Sequence, residues 1–119
     1  MVPFNETADG KTRPSIVIGW SPFGANEDEN ILIVPAYTFG GDPSKARRGD
    51  IALSDPISAG LSVDSRVRCR RIMSLHPKAF DFTNGPLGSV TGNDLNVILT
   101  EVEKMFAVPQ RALLPAHYH

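Results

Sequence analysis

The chain has 119 residues, 41% of them hydrophobic and 21% charged, with a formal net charge of −1 at pH 7. That length supports one core but not two, the near-neutral balance gives no global electrostatic signal for nucleic acid, and the lone Cys69 excludes an internal disulfide framework and a metal site built on several cysteines. No run of 18 apolar residues occurs and the first residues lack the basic and apolar regions of a signal peptide, so a soluble, cytoplasmic protein without a membrane span is expected.

From Pro14 to Trp20 the chain is β-branched and apolar between polar, turn-forming flanks, which predicts a strand. Ile31 to Val34 predicts a second, buried on both faces at its start, and Pro35 places the stretch through Thr38 at an edge or bulge. The acidic Glu27-Asp28-Glu29 between them predicts a hairpin loop. Gly40 to Gly49 reads as loop and Asp50 to Ser54 as a short strand. Beyond Ser65 the sequence alternates with period two, so a strand there sets Arg66, Arg68 and Arg70 on one face and Val67 and Cys69 on the other. Leu75 to Phe80 reads as a turn or single helical turn, Asn84-Gly85-Pro86 as a turn, and Leu87 to Val90 as a last short strand.

Thr91 opens the one long helix. Asp94 lies at capping-box spacing, and Leu95, Ile98, Leu99, Val102, Met105 and Phe106 form a core-facing stripe that Val108-Pro109 ends. Short strands without βαβ alternation, followed by one helix, predict a mainly β fold: a small, strongly bent antiparallel sheet or barrel with a C-terminal helix packed against it. One domain over residues 1–108 and a tail over 109–119 are expected.

The arginine face is the most informative feature. Six of the twelve basic groups lie between Arg47 and Arg71, and guanidinium is the side-chain group best shaped to hold phosphate oxygens. The competing reading is a solvated edge strand whose charges deter aggregation. Tyr37, Phe39, Phe23 and Trp20 lie near strand ends, where rings can stack unpaired bases, with core packing favoured for Trp20 and Phe39; Lys11, Arg47, Arg48 and Arg66 could track a nucleic-acid backbone. His117 and His119 offer two metal ligands in the tail, a weak site beside the reading of a solvated end. Cys69, in apolar phase, reads as a packing residue.

The segments Val2-Pro-Phe4, Asp9-Gly-Lys-Thr-Arg13-Pro14-Ser-Ile-Val-Ile-Gly19, Ile33-Val-Pro-Ala-Tyr-Thr38, Arg66-Val-Arg68-Cys69 and Leu87-Gly-Ser-Val90 before the helix resemble, in order and spacing, the MazF/PemK family of toxin ribonucleases. The resemblance implies an SH3-like barrel with a C-terminal helix, usually a homodimer, that cuts single-stranded RNA without a metal or other cofactor and is held inactive by a cognate antitoxin. It further implies catalytic roles for Arg13, Thr38 and Arg68; residue type and position, not the resemblance, make Lys11, Tyr37, Phe39, Arg66 and Arg70 the candidate RNA contacts.

Two departures stand out. Kid-like members carry an acidic base directly after Val-Arg-Cys, where this chain has Arg70; Asp64, Asp81 or Glu6 could stand in for it. The family's usual opening strand is represented at most by its end. Both favour a second reading, a catalytically silent barrel that keeps RNA or antitoxin binding. A third, from the arginine face alone, is a module that binds acidic peptides.

Overall fold

A computed structural model describes residues 3–8, 11–21, 29–81, 83 and 85–106. The first predicted strand extends over Lys11–Ser21 (β2) and pairs antiparallel with Asn30–Thr38 (β3), Ser15 opposite Pro35 and Ser21 opposite Asn30. Ahead of them Pro3–Ala8 (β1) pairs with β2, so the front of the chain contributes a full strand. Asp50–Ala52 (β4), Ser65–Arg68 (β5), Met73–Leu75 (β6) and Phe80–Asp81 (β7) complete an antiparallel sheet. Its order is β4-β5-β3-β2-β1-β7, with β6 also on β3. The helix Gly92–Glu103 (α1) follows. The architecture is the expected one, mainly antiparallel β with one C-terminal helix.

The predicted arginine strand breaks where β3 cannot sustain it. Ala36 to Thr38 pair with Val67 to Ser65, and Ile31 to Ile33 pair with Leu75 to Met73. Between these ladders stands Pro35, which has no N–H to give. Opposite it the chain turns, the Arg71 amide donating to the Arg68 carbonyl at 3.2 Å. Pro35 itself stays in register opposite Ser15, and the irregularity of that ladder falls at Val17 to Gly19 of β2 rather than at the proline.

Ile16, Val34, Val67 and Cys69 are fully buried on one face of the sheet, where Leu53, Ala59, Val90 and the helix residues Ile98 and Val102 close over them. Val17, Ile31, Ile33 and Phe80 form a second cluster with Met73, Leu75 and Ala79. Ile16 and Val17 alternate along β2, so the centre of the sheet is covered on both faces. Leu32 corrects the prediction for the start of β3: it is 40% exposed.

The helix begins as predicted, the Thr91 hydroxyl accepting from the Asp94 amide at 3.1 Å. The Asp94 carboxylate does not reach back to complete a capping box. Buried, it accepts from the Ser54 amide at 3.0 and 2.9 Å and from the Ser54 hydroxyl at 2.9 Å, pinning the helix to the loop after β4. Asp94→Ala strands two donors at once and is expected to lower stability by about 2–3 kcal/mol. Thr91→Ala, which removes only the cap, should lower it by about 1 kcal/mol. Urea unfolding measures both, and equal losses would count against the Ser54 anchor.

Two further expectations fail. Met105 and Phe106 are 43% and 70% exposed, because the chain tightens into a 3₁₀ turn over Lys104–Phe106 and leaves the helical stripe. Leu87 to Val90 form no strand: Gly88 lies against the backbone of Ser58 to Gly60, and the Ser89 amide donates to the Ser58 carbonyl at 2.9 Å. Asn84, the helix-ending Val108-Pro109 and the tail lie outside the described residues.

Candidate active site

β5 runs between β4 and β3, with Asp50 opposite Arg68 and Tyr37 opposite Arg66. Val67 and Cys69 are fully buried while Arg66 and Arg68 are half-buried on the other face. Burial pushes the Cys69 thiol up to about 12, with the Glu101 and Asp50 charges adding to it, so it is a packing residue. Arg70 corrects the three-arginine face. It lies beyond the end of β5, its guanidinium 3.8 Å from the Glu101 carboxylate on α1 and its stem packed on Gly49, where a Cβ would meet the stem carbons at 2.7 Å. The face holds two arginines.

Each is stacked on an aromatic ring of the β3 end. The Arg66 guanidinium carbon sits 3.7 Å from the Phe39 centroid and that of Arg68 4.4 Å from the Tyr37 centroid. Such contacts contribute about 0.5–2 kcal/mol each and offset the repulsion between neighbouring cations. Phe39 is thus half-buried beneath an arginine, outside both core clusters, and Trp20 is 45% exposed with its indole N–H donating to Glu29 at 2.5 Å. The core packing favoured for both from sequence does not occur. One face of Tyr37 and of Phe39 is already occupied by guanidinium.

Asp50 ties the group together. Its side chain is 2% exposed. Its Oδ2 accepts from the Tyr37 hydroxyl at 2.8 Å, from the Arg47 amide at 3.0 Å and from Arg68 Nη2 at 3.4 Å, and Arg68 Nη2 also donates to the Lys45 carbonyl at 2.6 Å. Burial opposes the charge on Arg68, but Asp50 and Tyr37 outweigh it and raise its pKa. Burial and the bond to Asp50 raise that of Tyr37 against the opposing effect of Arg68, so the phenol keeps its proton at neutral pH. Asp50 Oδ1, Arg66 Nε and Arg68 Nε are buried without a hydrogen-bond partner among the described residues.

Thr38 sits in a separate group. Its Oγ1 lies 3.2 Å from Ser62 Oγ, which lies 3.0 Å from Ser65 Oγ. These hydroxyls line a cavity of about 350 Å³ with Pro14, Tyr37, Leu61 and Leu87. Tyr37 is the residue common to the cavity and the arginine group. Arg13 is exposed, beside Pro14 of the cavity wall and level with Tyr37 beyond the Ser15–Pro35 pair, and it makes no ion pair with another described side chain. Lys11 starts β2 opposite Ala8; its side chain and that of Glu6 lie outside the described residues. Arg47 and Arg48 are exposed on the loop before β4.

Of the acids weighed as replacements at position 70, Asp81 caps the Thr83 amide on β7, at the opposite end of the sheet from β4. Asp64 is exposed, its carbonyl taken by the Phe39 amide. Asp50, passed over in the sequence, is the carboxylate in contact with Arg68. The available signal was an acid opening an otherwise apolar strand next to an arginine strand. Among the described residues no cluster of three or more His, Cys, Asp or Glu could hold a metal ion, and no helix is long and apolar enough to cross a membrane.

The antiparallel sheet and the C-terminal helix form a MazF-like fold. The chain is similar to an endoribonuclease solved in complex with its cognate antitoxin from a mycobacterial species, at 19% identity over 92% of this chain and 94% of that one, with a TM-score of 0.61. It is also similar to the Mycobacterium tuberculosis toxin MazF-mt6, at 14% identity over 92% of this chain and 100% of that one, with a TM-score of 0.64. No protein-family model and no curated protein matches the chain by sequence.

Proposed function

We propose that this chain is the toxin of a type II toxin–antitoxin system, a metal-independent, sequence-specific endoribonuclease that cuts single-stranded mRNA in the cytoplasm and so inhibits translation and growth. The observation that carries the reading is Arg68, a permanent cation held on the ring of Tyr37 within a MazF-like fold. In the reaction the ribose 2′-hydroxyl gives up its proton and attacks the adjacent phosphorus, the bond to the 5′-oxygen breaks, that oxygen takes up a proton and leaves as a 5′-hydroxyl, and a cyclic phosphate remains. Arg68 stabilises the phosphorane, Arg13 holds the phosphate, and the Thr38 hydroxyl bonds the scissile group. Arg66, with Lys11, Tyr37 and Phe39, follows the RNA. Arg70, turned toward Glu101, would join them only by leaving that partner. A second copy of the chain and an antitoxin whose disordered segment covers the RNA groove are its protein partners.

The test is cleavage of a long single-stranded RNA in EDTA with the 5′ ends mapped, run beside Arg13→Ala. Discrete cuts that fall by about 100-fold in the variant are expected. Absence of cutting by folded protein favours the second reading, a silent barrel that keeps RNA or antitoxin binding. Arg70 in the place of an acid, and its engagement by Glu101, are the observations on that side.

A further inference from the structure

We infer that Asp50 is the positioning residue of this site, the carboxylate that fixes both the Arg68 guanidinium and the Tyr37 hydroxyl. The inference rests on the endoribonuclease reading. Asp50 stands directly opposite Arg68 in the ladder between β4 and β5, so backbone pairing brings the two together. Its Oδ2 receives the Tyr37 hydroxyl from β3, Arg68 Nη2 from β5 and the Arg47 amide from the preceding loop. With a side chain only 2% exposed, it cannot touch a substrate. Its effect is geometric. With Nη2 committed to Asp50 and the Lys45 carbonyl, and the cation stacked on Tyr37, the guanidinium is fixed in azimuth and its Nη1 side is left for a phosphate oxygen. The site thus has an acid after all, supplied by β4 rather than by the residue after Cys69, and used to orient rather than to take a proton.

Single-turnover cleavage by wild type, Asp50→Asn, Arg68→Ala and the double variant tests this, with circular dichroism and thermal unfolding of each. Asp50→Asn is expected to lower kcat by about 100-fold with KM nearly unchanged, the cost of a misplaced group rather than of lost binding. In the Arg68→Ala background the same change should cost no further rate, because the group it positions is gone. A residue that merely supported the fold would lower the rate in both backgrounds. Should Asp50→Asn not fold, Tyr37→Phe reads the same coupling, since it keeps the ring under Arg68 and removes only the hydroxyl that Asp50 holds. Loss of rate confined to the wild-type background supports the inference, and equal loss in both backgrounds overturns it. If the wild type cuts RNA and Asp50→Asn cuts as fast, the inference falls while the function stands; if folded wild type cuts nothing, both fall together.

Discussion

Arg68→Ala is expected to lower RNA cleavage by about 100- to 1,000-fold, equivalent to about 3–4 kcal/mol of transition-state stabilisation, while leaving the protein folded. The side chain lies on the face of β5 turned away from the core, and Val67 and Cys69, which bury the strand, are untouched. In the proposed reaction, what is lost is a fixed positive charge beside the developing phosphorane. Arg68→Lys keeps the charge but loses the planar fork, and so should recover only part of the rate. Asp50 keeps the Tyr37 hydroxyl and the Arg47 amide in the alanine variant, so its carboxylate is not left bare. Single-turnover rates on one oligonucleotide, with circular dichroism as the control for folding, decide the matter. A folded Arg68→Ala protein that cuts at the wild-type rate would remove Arg68 from the chemistry.

The largest expected effect on stability comes from a residue with no side chain. A Cβ on Gly88 would lie 2.3 Å from the Ser58 carbonyl oxygen and 2.6 Å from the Ala59 carbonyl carbon. Gly60 faces it in the same way, at φ +77° with a Cβ 2.3 Å from the Leu87 carbonyl oxygen. The two loops are pressed backbone to backbone and joined by the amide of Ser89 on the Ser58 carbonyl. Neither partner is a flexible chain end that could swing aside. Gly88→Ala must part the loops, at an expected cost of about 2–4 kcal/mol. Gly92→Ala, at the start of α1 with open space around it, should change stability little. Thermal or urea unfolding of the two variants measures the contrast, and similar midpoints would refute the close packing. Gly60, Leu61 and Leu87 also wall the cavity at Thr38, so Gly88→Ala should weaken RNA cutting beyond its effect on the folded fraction.

Features written in local periodicity were legible in the sequence. The β-branched run at Ile16 to Ile18, the alternation from Ser65 to Arg68 and the cap at Thr91 each imposed the element they predict. Features that depend on what lies across a gap were not. Period two continues past Arg68 in the sequence, yet the strand stops because a proline stands on the neighbouring strand. Asp94 has the spacing of a capping box, yet a serine forty positions upstream competes for its carboxylate and wins. Leu87 to Val90 has strand composition, but Gly88 spends its lack of a side chain on a loop rather than on a ladder. At the candidate site, residue type and motif mark Arg68 in the sequence, whereas the contact that Asp50 makes with it arises only when β4 and β5 come into register.

The pairing of β1 with β7 has a consequence for how the chain is made. Asn5 meets Asp81 and Glu6 meets Phe80, so the first strand of the sheet is completed by its last. On the ribosome β1, β2 and β3 can assemble as a meander of neighbours, whereas β5, β6 and β7 each return to strands that emerged long before. Contacts so distant along the chain carry a large entropy of closure and fold slowly. The sheet therefore cannot seal until all seven strands have left the exit tunnel, and the helix that covers one of its faces arrives later still.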